Sequence, residues 1–409
     1  EVVVTARKRE ESSQDVPLAI TAFGADQIEA LKVRDLTNLG VGLPNVTFDD
    51  VGTTRGSANF SIRGLGINAS IPSIDPSVGV FVNGVYLGVN NGILFDVFDL
   101  ESIEVLRGPQ GILFGRNVTG GAVLMNTKKP GEEWDATIKT AVDGFGSDGG
   151  LNYYAMAAAG GPVSDTLGFR LTAYYNEDEG WFQRDAFDAF GVTEEDVGAV
   201  EQLMLRPTVV WTPTDRTEVV IRYEYTDIDG DGAVSQPHTN GTGVDGVWVN
   251  YDRDNSFGSS NDFIGYQTIE TDFLTAELNH DVDFGEGTIT AIYGWRDSYS
   301  ESGSDIDAQP IWAFHSAAWL DTEQNSLELR YNGQFGNANI TTGLYWFDMD
   351  QGYHERRNLA GAATGNQGPL IIQDGGGLYG VETLGVFIAA DYALTDRLTL
   401  TAGIRYTDE

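Results

Sequence analysis

The sequence predicts two parts, a small α+β domain at the N-terminus and a long antiparallel β-structure behind it. Three observations support this division. Helical spacing and tight turn signals occur up to Pro130, two-residue alternation of apolar and polar residues takes over from Trp134, and short turns then alternate with long polar connections. Such alternation gives each strand one apolar and one polar face, as in a wall between lipid and water.

The N-terminal domain contains predicted helices, a strand and one hairpin. Apolar residues at helical spacing predict helices over Ala25–Leu31 and Arg34–Leu39, and Leu94–Leu100 has the pattern of one more helical turn. A strand is predicted over Asn59–Gly64. The Asn83-Gly84 pair stands between two β-branched runs, which predicts a two-residue hairpin turn.

Glycine is concentrated in the last part of this domain, Ser102–Lys129, which reads SIEVLRGPQGILFGRNVTGGAVLMNTKK. Two strand patterns flank a stretch rich in glycine with one proline. Because glycine has no Cβ, this composition predicts a backbone that packs closely against itself.

The pattern from Trp134 onward amounts to about eleven strands. The last segment is the clearest, because its apolar residues all share one face: Leu398, Leu400, Ala402, Ile404 and Tyr406. Short turns are predicted at 161–165, 212–215, 284–287, 335–337 and 394–396, and long polar connections at 178–200, 229–263, 299–319 and 350–382. This alternation puts the long connections at one end, as in outer-membrane barrels with short periplasmic turns and long extracellular loops.

Composition limits the possible functions. The net charge of −37 argues against a nucleic-acid partner, which requires a basic surface, and the absence of cysteine excludes a disulfide framework and a thiol nucleophile. No run of about 18 apolar residues occurs, so a transmembrane helix is not expected. A soluble protein or a closed transmembrane barrel satisfies these limits.

Four stretches resemble the plug-domain signatures of TonB-dependent outer-membrane receptors. Besides Ser102–Lys129, they are Glu1–Ala6, which resembles a TonB box, Asn59–Gly64, which resembles the family's first Arg-Gly strand, and Val78–Leu87, which resembles the hairpin before the apical loop. The resemblance implies an α+β plug domain inside a transmembrane antiparallel β-barrel. It divides the chain into an N-terminal arm with the TonB box (1–15), a plug (16–130) and the first half of a 22-stranded barrel (131–409), incomplete in this chain.

The same resemblance implies active transport across the bacterial outer membrane, with a ferric siderophore as the default ligand and carbohydrate or another small molecule as alternatives. The implied partners are TonB with its ExbB/ExbD energy system, outer-membrane lipid and lipopolysaccharide, and the transported ligand. An arm whose backbone pairs with another protein's strand fits Val2, Val3, Val4, Thr5 and Ala6 as the TonB-interaction residues. The arm, 1–15, is expected to be extended and mobile, without a hairpin partner.

Plug arginines are candidates for a latch between plug and barrel. The resemblance implies that Arg63, Arg107 and Arg116 pair with carboxylates on the inner wall, since an arginine fork holds a carboxylate bidentately. Candidate partners in strand patterns are Glu218, Glu224, Glu277 and Glu328. Solvated arginines in a wet gap are the alternative.

Ligand contacts are expected from two plug loops, Gly66–Asp75 and Gly88–Gly92. Their candidate residues offer hydrogen-bonding groups suited to a sugar or a hydroxylated chelate: Asn68, Ser70, Asp75, Asn90 and Asn91. Ordinary turn chemistry explains the same composition equally well.

A weak calcium signal occurs at Asp227, Asp229 and Asp231, which match the first positions of a calcium loop, although His238 stands where the motif requires glutamate. No cofactor is otherwise required, and Ca²⁺ in an extracellular loop is the one metal expected. The four histidines show no metal-ligand spacing, and no nucleophile elbow or Walker motif occurs, so the chain is not expected to be an enzyme. The alternatives are a secreted β-rich protein that binds or hydrolyses glycosides, and a passive porin.

Overall fold

The structure is a computed structural model of the 409-residue chain. It describes residues 3–9, 11–14, 16–31, 36–51, 54–66, 74–89, 91–92, 98–144, 149–184, 195–235, 258–259, 261–308, 312–359, 370–395 and 397–409.

The N-terminal domain is a mixed five-stranded sheet with short helices and two small two-stranded ribbons. Its elements are β1 (Val3–Val4), β2 (Glu11–Ser12), β3 (Ile20–Gly24), α1 (Ala25–Leu31), α2 (Leu36–Val41), β4 (Val46–Val51), β5 (Thr54–Ile62), β6 (Val78–Val82), β7 (Val85–Tyr86), β8 (Leu100–Arg107), α3 (Gly111–Phe114) and β9 (Gly121–Thr127). The sheet order is β3-β8-β9-β6-β7, and β1-β2 and β4-β5 form the ribbons.

The predicted helix over Ala25–Leu31 is confirmed, and the second helix is described from Leu36. The hairpin is confirmed because Asn83 and Gly84 have φ values of 49° and 83°, the positive angles of its favoured turn. The helical turn expected to reach Leu100 is wrong at that residue, which pairs with β9 as the first residue of β8. The rest of that turn lies largely outside the described residues.

The close packing expected in Ser102–Lys129 is most evident at Gly121, where β9 begins. This residue has φ +153°, and a Cβ built on it would lie 2.1 Å from the Leu106 carbonyl oxygen. Any side chain there would push β8 and β9 apart, so glycine is required.

The expectation of an extended N-terminal arm without a hairpin partner is wrong. β1 pairs antiparallel with β2, with Val3 opposite Ser12 and Val4 opposite Glu11. Val4 and Ala6 are fully buried. Burial of these two apolar side chains explains why the segment folds back onto the protein.

The remaining strands, in chain order, are β10 (Asp135–Gly144), β11 (Leu151–Ser164), β12 (Leu167–Asp178), β13 (Phe182–Arg184), β14 (Glu195–Val197), β15 (Val200–Thr214), β16 (Thr217–Gly230), β17 (Gly258–Ser259), β18 (Tyr266–Val282), β19 (Gly287–Asp305), β20 (Phe314–Phe335), β21 (Ala338–Leu359), β22 (Leu370–Thr395) and β23 (Leu398–Asp408). A single turn of 3₁₀ helix, Phe284–Glu286, precedes β19. Strands β13, β14 and β17 form a separate three-stranded sheet.

Eleven strands form one sheet, here called the wall, in the order β10-β11-β12-β15-β16-β18-β19-β20-β21-β22-β23. The predicted number of strands is therefore confirmed. Each strand pairs antiparallel with the next one, while β10 and β23 are not paired with each other. The barrel is not closed in this chain.

Short connections lie at or next to the five predicted turns, although most of 161–165 and 212–215 belongs to the ends of β11 and β15. Two predicted long connections are much shorter than expected. β20 and β21 have 22 residues each and β22 has 26, so most of 299–319 and 350–382 is strand. About 9–11 residues suffice to cross a bilayer. The outer parts of these strands therefore extend beyond the bilayer, and their polar sequence resembles that of a loop.

The two faces of the wall have opposite character. Large apolar side chains are exposed on the outer face, among them Ile138, Leu344 and Ile404. Inward side chains such as Arg222 and Ser326 are polar and buried. This is the polarity of a barrel in lipid, and the opposite of a β-sandwich with a dry core. No helix in the described ranges is long and apolar enough to cross a bilayer.

The N-terminal domain packs against the inner face of the wall. Phe273 and Ile292 of the wall belong to the same apolar cluster as the core of the domain. The Tyr86 ring lies 5.6 Å from that of Phe347 in β21. The domain thus occupies the interior, as expected for a plug, and is called the plug below.

Candidate functional site

The first candidate site is the arm, which is held at the short-turn end of the wall by a buried glutamate of the plug. Glu104 in β8 is fully buried, and its Oε1 accepts hydrogen bonds from the Thr5 backbone N–H (2.8 Å) and hydroxyl (3.0 Å). Burial raises the pKa of Glu104, although the Thr5 donors oppose the shift. Its other oxygen, Oε2, is buried without a hydrogen-bond partner among the described residues.

Basic residues of the arm attach it to the wall. Lys8 Nζ lies 3.0 Å from Glu328 Oε2 in β20, and both side chains are buried. Arg7 and Arg9 both bind Asp391 in β22. Burial lowers the pKa of Lys8, and Glu328 partly offsets this effect.

The sequence held a signal for this attachment that composition alone did not reveal. Arg7, Lys8 and Arg9 are three consecutive cations in a chain with a net charge of −37. A basic run beside a strongly acidic wall favours pairing between them.

The residues predicted for TonB interaction differ in exposure. Val3 is 55% exposed, whereas Val4 and Ala6 are fully buried and Thr5 binds Glu104. Val2 lies outside the described residues. A partner strand can reach all of this segment only after it leaves its site, and the interaction itself stays a prediction.

Of the three predicted latch arginines, Arg116 bridges plug and wall. Its Nη1 lies 2.7 Å from Glu409 Oε1, just after β23, and its Nη2 lies 2.9 Å from Asp75 Oδ1 in the plug. The wall partner is therefore Glu409 and not one of the four glutamates proposed from the sequence.

Within the described residues, Arg107 and Arg63 form no ion pair with a wall carboxylate, so a latch role for these two arginines stays a prediction. Arg107 donates to the Thr21 hydroxyl at 3.0 Å, inside the plug. Arg63 is exposed, and no ion pair to a described carboxylate forms. Arg107 is the last residue of β8, where β3 is the neighbouring strand, so its side chain has a plug partner within reach.

The four wall glutamates are ion-paired with other cations. Glu218 binds Lys129 at 2.6 Å and Glu328 binds Lys8, so the plug end and the arm contribute lysines. The other two bind arginines of neighbouring strands: Glu224 pairs with Arg206 and Glu277 with Arg222.

The most buried ion pair between plug and wall has the reverse polarity, and sequence reasoning missed it. Arg170 in β12 donates from Nε and Nη2 to both carboxylate oxygens of Asp99 in the plug, at 2.8 and 2.6 Å. The Thr172 hydroxyl also donates to Asp99, and Arg170 Nη1 binds Asp135. Although burial opposes ionisation, Arg170 and Thr172 hold the pKa of Asp99 below its usual range.

The second candidate site is the plug end nearest the long connections. Gln324 in β20 accepts from the Gly88 N–H (2.8 Å) and donates to the Tyr86 carbonyl (2.6 Å). Asn91 donates to the Ser300 hydroxyl at 2.9 Å, and its carbonyl accepts from Arg296 at 2.7 Å. Wall side chains therefore hold this end of the plug in position.

Two of the predicted ligand-binding residues already have partners within the protein. Asp75 binds Arg116 and Asn117, and Asn91 binds the wall. Asn68, Ser70 and Asn90 lie outside the described residues. Ligand contact by any of the five stays a prediction.

The calcium loop expected at Asp227, Asp229 and Asp231 does not form as a loop. The first two aspartates belong to β16, where alternate residues on one face are about 6.6 Å apart and cannot wrap around an ion. Asp231 accepts from the Gly198 and Ala199 backbone N–H groups, both at 2.9 Å. Calcium elsewhere in the extracellular connections stays a prediction.

Residues 12–122 match the family model described as the TonB-dependent receptor plug domain. The iron-regulated outer membrane virulence protein of Vibrio cholerae is 29% identical over 190 residues, which is 44% of this chain and 28% of that protein. The pesticin receptor of Yersinia pestis is 29% identical over 210 residues, 50% of this chain and 30% of that protein.

Two solved receptors have the same fold. The ferric yersiniabactin uptake receptor FyuA of Yersinia pestis superimposes with a TM-score of 0.76 at 19% identity, covering 97% of this chain and 57% of that one. The ferripyoverdine receptor of Pseudomonas aeruginosa superimposes with a TM-score of 0.77 at 17% identity, covering 100% of this chain and 54% of that one. The chain thus spans little more than half the length of these receptors.

A plug domain held inside an antiparallel wall with an apolar outer face, matched by these relatives, defines the class: residues 12–122 are a TonB-dependent receptor plug domain, and the chain has the fold of TonB-dependent outer-membrane receptors. It is accordingly located in the outer membrane. The family consists of receptors and transporters rather than enzymes.

Proposed function

We propose that the protein takes up a scarce iron–siderophore complex across the outer membrane, in a cycle driven by TonB. The observation that carries this proposal is the arm: the segment Val3–Ala6, which begins with β1, lies at the short-turn end and is held by Glu104 and, through Lys8, by Glu328. A plug that fills the interior favours gated transport over a passive porin. The apolar outer face argues against a secreted glycosidase.

In this proposal the two candidate sites are the two ends of one coupling path. Ligand binding above Asn91 would change its contacts with Ser300 and Arg296. β7, which leads towards Asn91, and β8, which carries Glu104, belong to the same five-stranded plug sheet. Movement of this sheet would therefore weaken the hydrogen bonds between Glu104 and Thr5. The released arm would then pair with a strand of TonB, which gains affinity from backbone hydrogen bonds.

Iron as the cargo is favoured by the relatives. The Vibrio cholerae protein is named as iron-regulated, and the Yersinia pestis structure is that of a ferric yersiniabactin receptor. A hydroxylated chelate also suits the amide and hydroxyl groups of the plug loops. The class of chelator is to be found by testing ferric complexes of phenolate, hydroxamate and catecholate ligands.

The test separates binding from transport. Val3→Pro in the full-length receptor removes the backbone N–H donor of this residue. The variant is expected to abolish uptake of radioactive iron, while binding of the ferric complex to cells stays unchanged. Val3→Thr, which keeps a β-branched residue at this exposed position, is the matched control and should retain uptake. Uptake by Val3→Pro at the wild-type rate, or uptake that persists without TonB, would contradict the proposal.

A further inference from the structure

Two aspartates and a histidine meet at the outer rim of the wall, far from the arm. Asp262 precedes β18, Asp305 ends β19 and His315 is the second residue of β20. Their donor atoms all lie within 4.8 Å of one another. Asp305 and His315 are directly opposite in the β19–β20 register, so the strand pairing itself brings them together.

The imidazole of His315 is held in a fixed orientation. Its ring stacks on Trp312 at 5.3 Å between centroids and 11° between planes, and on Phe263 at 5.0 Å and 28°. In this position its Nε2 lies 2.8 Å from Asp262 Oδ1. A ring fixed by two aromatic neighbours is an ordered ligand rather than a mobile surface histidine.

Backbone groups orient the carboxylate of Asp305, which is fully buried. It accepts N–H donors from Asp262 (3.1 Å), Asp307 (3.0 Å) and Ala308 (2.9 Å). A carboxylate has about four lone-pair sites, so three donors leave capacity for one further bond. Carboxylates that bind metals are commonly held by hydrogen bonds of this kind.

The cluster carries more negative than positive charge. Within the described ranges no lysine or arginine forms an ion pair with Asp262 or Asp305, and the residue that pairs with Asp262 is His315. Burying a carboxylate without a counter-charge is costly. A bound cation would remove this cost.

We infer that Asp262, Asp305 and His315 bind a divalent transition-metal ion of the Zn²⁺ type. One imidazole nitrogen with two carboxylate oxygens is a donor set for such ions, whereas Ca²⁺ prefers oxygen ligands alone. Ligand atoms about 2.1 Å from a tetrahedral metal are about 3.4 Å apart. The donor atoms of the three residues are at most 4.8 Å apart, so small side-chain shifts would bring them to this spacing. The metal would tie three chain segments together at the outer rim.

The test is Zn²⁺ titration of the full-length receptor in detergent, after removal of bound metal with a chelator. Wild-type protein is expected to bind one Zn²⁺, and Co²⁺ at the same site should give a visible absorption band. His315→Gln and Asp262→Asn should each weaken Zn²⁺ binding at least tenfold. Heat-modifiable migration of each variant establishes that it is folded.

His354→Gln is the matched control, because His354 also pairs with an aspartate at 2.7 Å, Asp374, but Arg356 already neutralises that carboxylate. This variant should bind Zn²⁺ as the wild type does. Saturable binding that is equal in the wild type and in folded His315→Gln and Asp262→Asn would overturn the assignment. So would the absence of saturable Zn²⁺ binding, or tighter binding of Ca²⁺ than of Zn²⁺.

Discussion

The ion pairs that the plug makes, with the wall or within itself, differ in strength because the exposure of their side chains differs. The side chains of Arg170 and Asp99 are 2% and 4% exposed, whereas Asp75, which pairs with Arg116, is 50% exposed. Water screens an exposed pair, and removing one partner of a buried pair leaves an uncompensated charge. The Arg170–Asp99 pair is therefore the stronger attachment.

Asp99→Asn is expected to lower the free energy of plug unfolding by about 3–5 kcal/mol, the typical cost of breaking a buried pair. Asp75→Asn, the matched exposed change, should cost no more than about 1 kcal/mol. The chain has no cysteine, so a spin label on Leu31→Cys in α1 can report plug unfolding in urea without competing sites. Equal midpoints for the two variants would show that burial does not govern the strength of these pairs.

Sequence reasoning found the residue types at this interface but not their partners. Alternation correctly placed Glu224 and Glu328 on the inner face, where both are buried. It could not show that the partner of Glu224 would be Arg206, on the adjacent strand, rather than a plug arginine. Asp99 carried no local signal, since its partner Arg170 is 71 residues away.

The arm hairpin of β1 and β2 is an element whose attachment is expected to depend on pH. Glu104 is buried while Thr5 is docked, and this burial raises its pKa. Release of the arm would expose the carboxyl group and return its pKa toward the ordinary value. Protonation of Glu104 therefore favours the docked arm. The contribution of Glu104 to docking is complete below its ordinary pKa of about 4.3 and is lost as the pH rises through its raised pKa in the docked state.

A spin label on Val3→Cys is accordingly expected to be more mobile at pH 8 than at pH 5. Glu104→Gln keeps an acceptor for Thr5 without a titratable charge and should flatten this dependence. Lys8 has the opposite effect on docking as the pH rises. Burial lowers its pKa, so loss of its proton at high pH favours the docked state. The difference between wild type and Glu104→Gln isolates the glutamate, and identical pH profiles would refute its role.

Elements with strong local signals were predicted well, and those that depend on distant contacts were not. The Asn83-Gly84 turn and the helix over Ala25–Leu31 follow from local rules. The hairpin of the arm depends instead on burial of Val4 and Ala6 against the folded protein. The outer part of β22 lacks the alternation caused by lipid, because both of its faces meet water there.

At the scale of the whole molecule, one arrangement combines two chemical environments. The plug supplies apolar clusters shared with wall residues such as Phe273 and Phe347, while the outer face carries the apolar belt. Alternation and turn spacing specify such a wall from the sequence. The position of the plug inside it depends on contacts between residues up to several hundred positions apart, such as Lys8 and Glu328, which local patterns do not encode.

The open edges of the wall lead to a prediction for the isolated chain. β10 and β23 each pair with one neighbour, whereas every strand between them pairs on both sides. The backbone N–H and C=O groups along the two outer edges therefore have no partner strand. Each unpaired backbone group in lipid costs several kcal/mol, because no water is available to replace the missing partner. Residues 1–409 expressed alone are therefore expected to aggregate or associate through these edges. Coexpression with a segment that supplies the complementary strands should restore a folded barrel, measured as outer-membrane fractionation and heat-modifiable migration. A stable monomer of 1–409 with slow hydrogen exchange in both β10 and β23 would contradict this account, since it would require that both edges be protected without a partner strand.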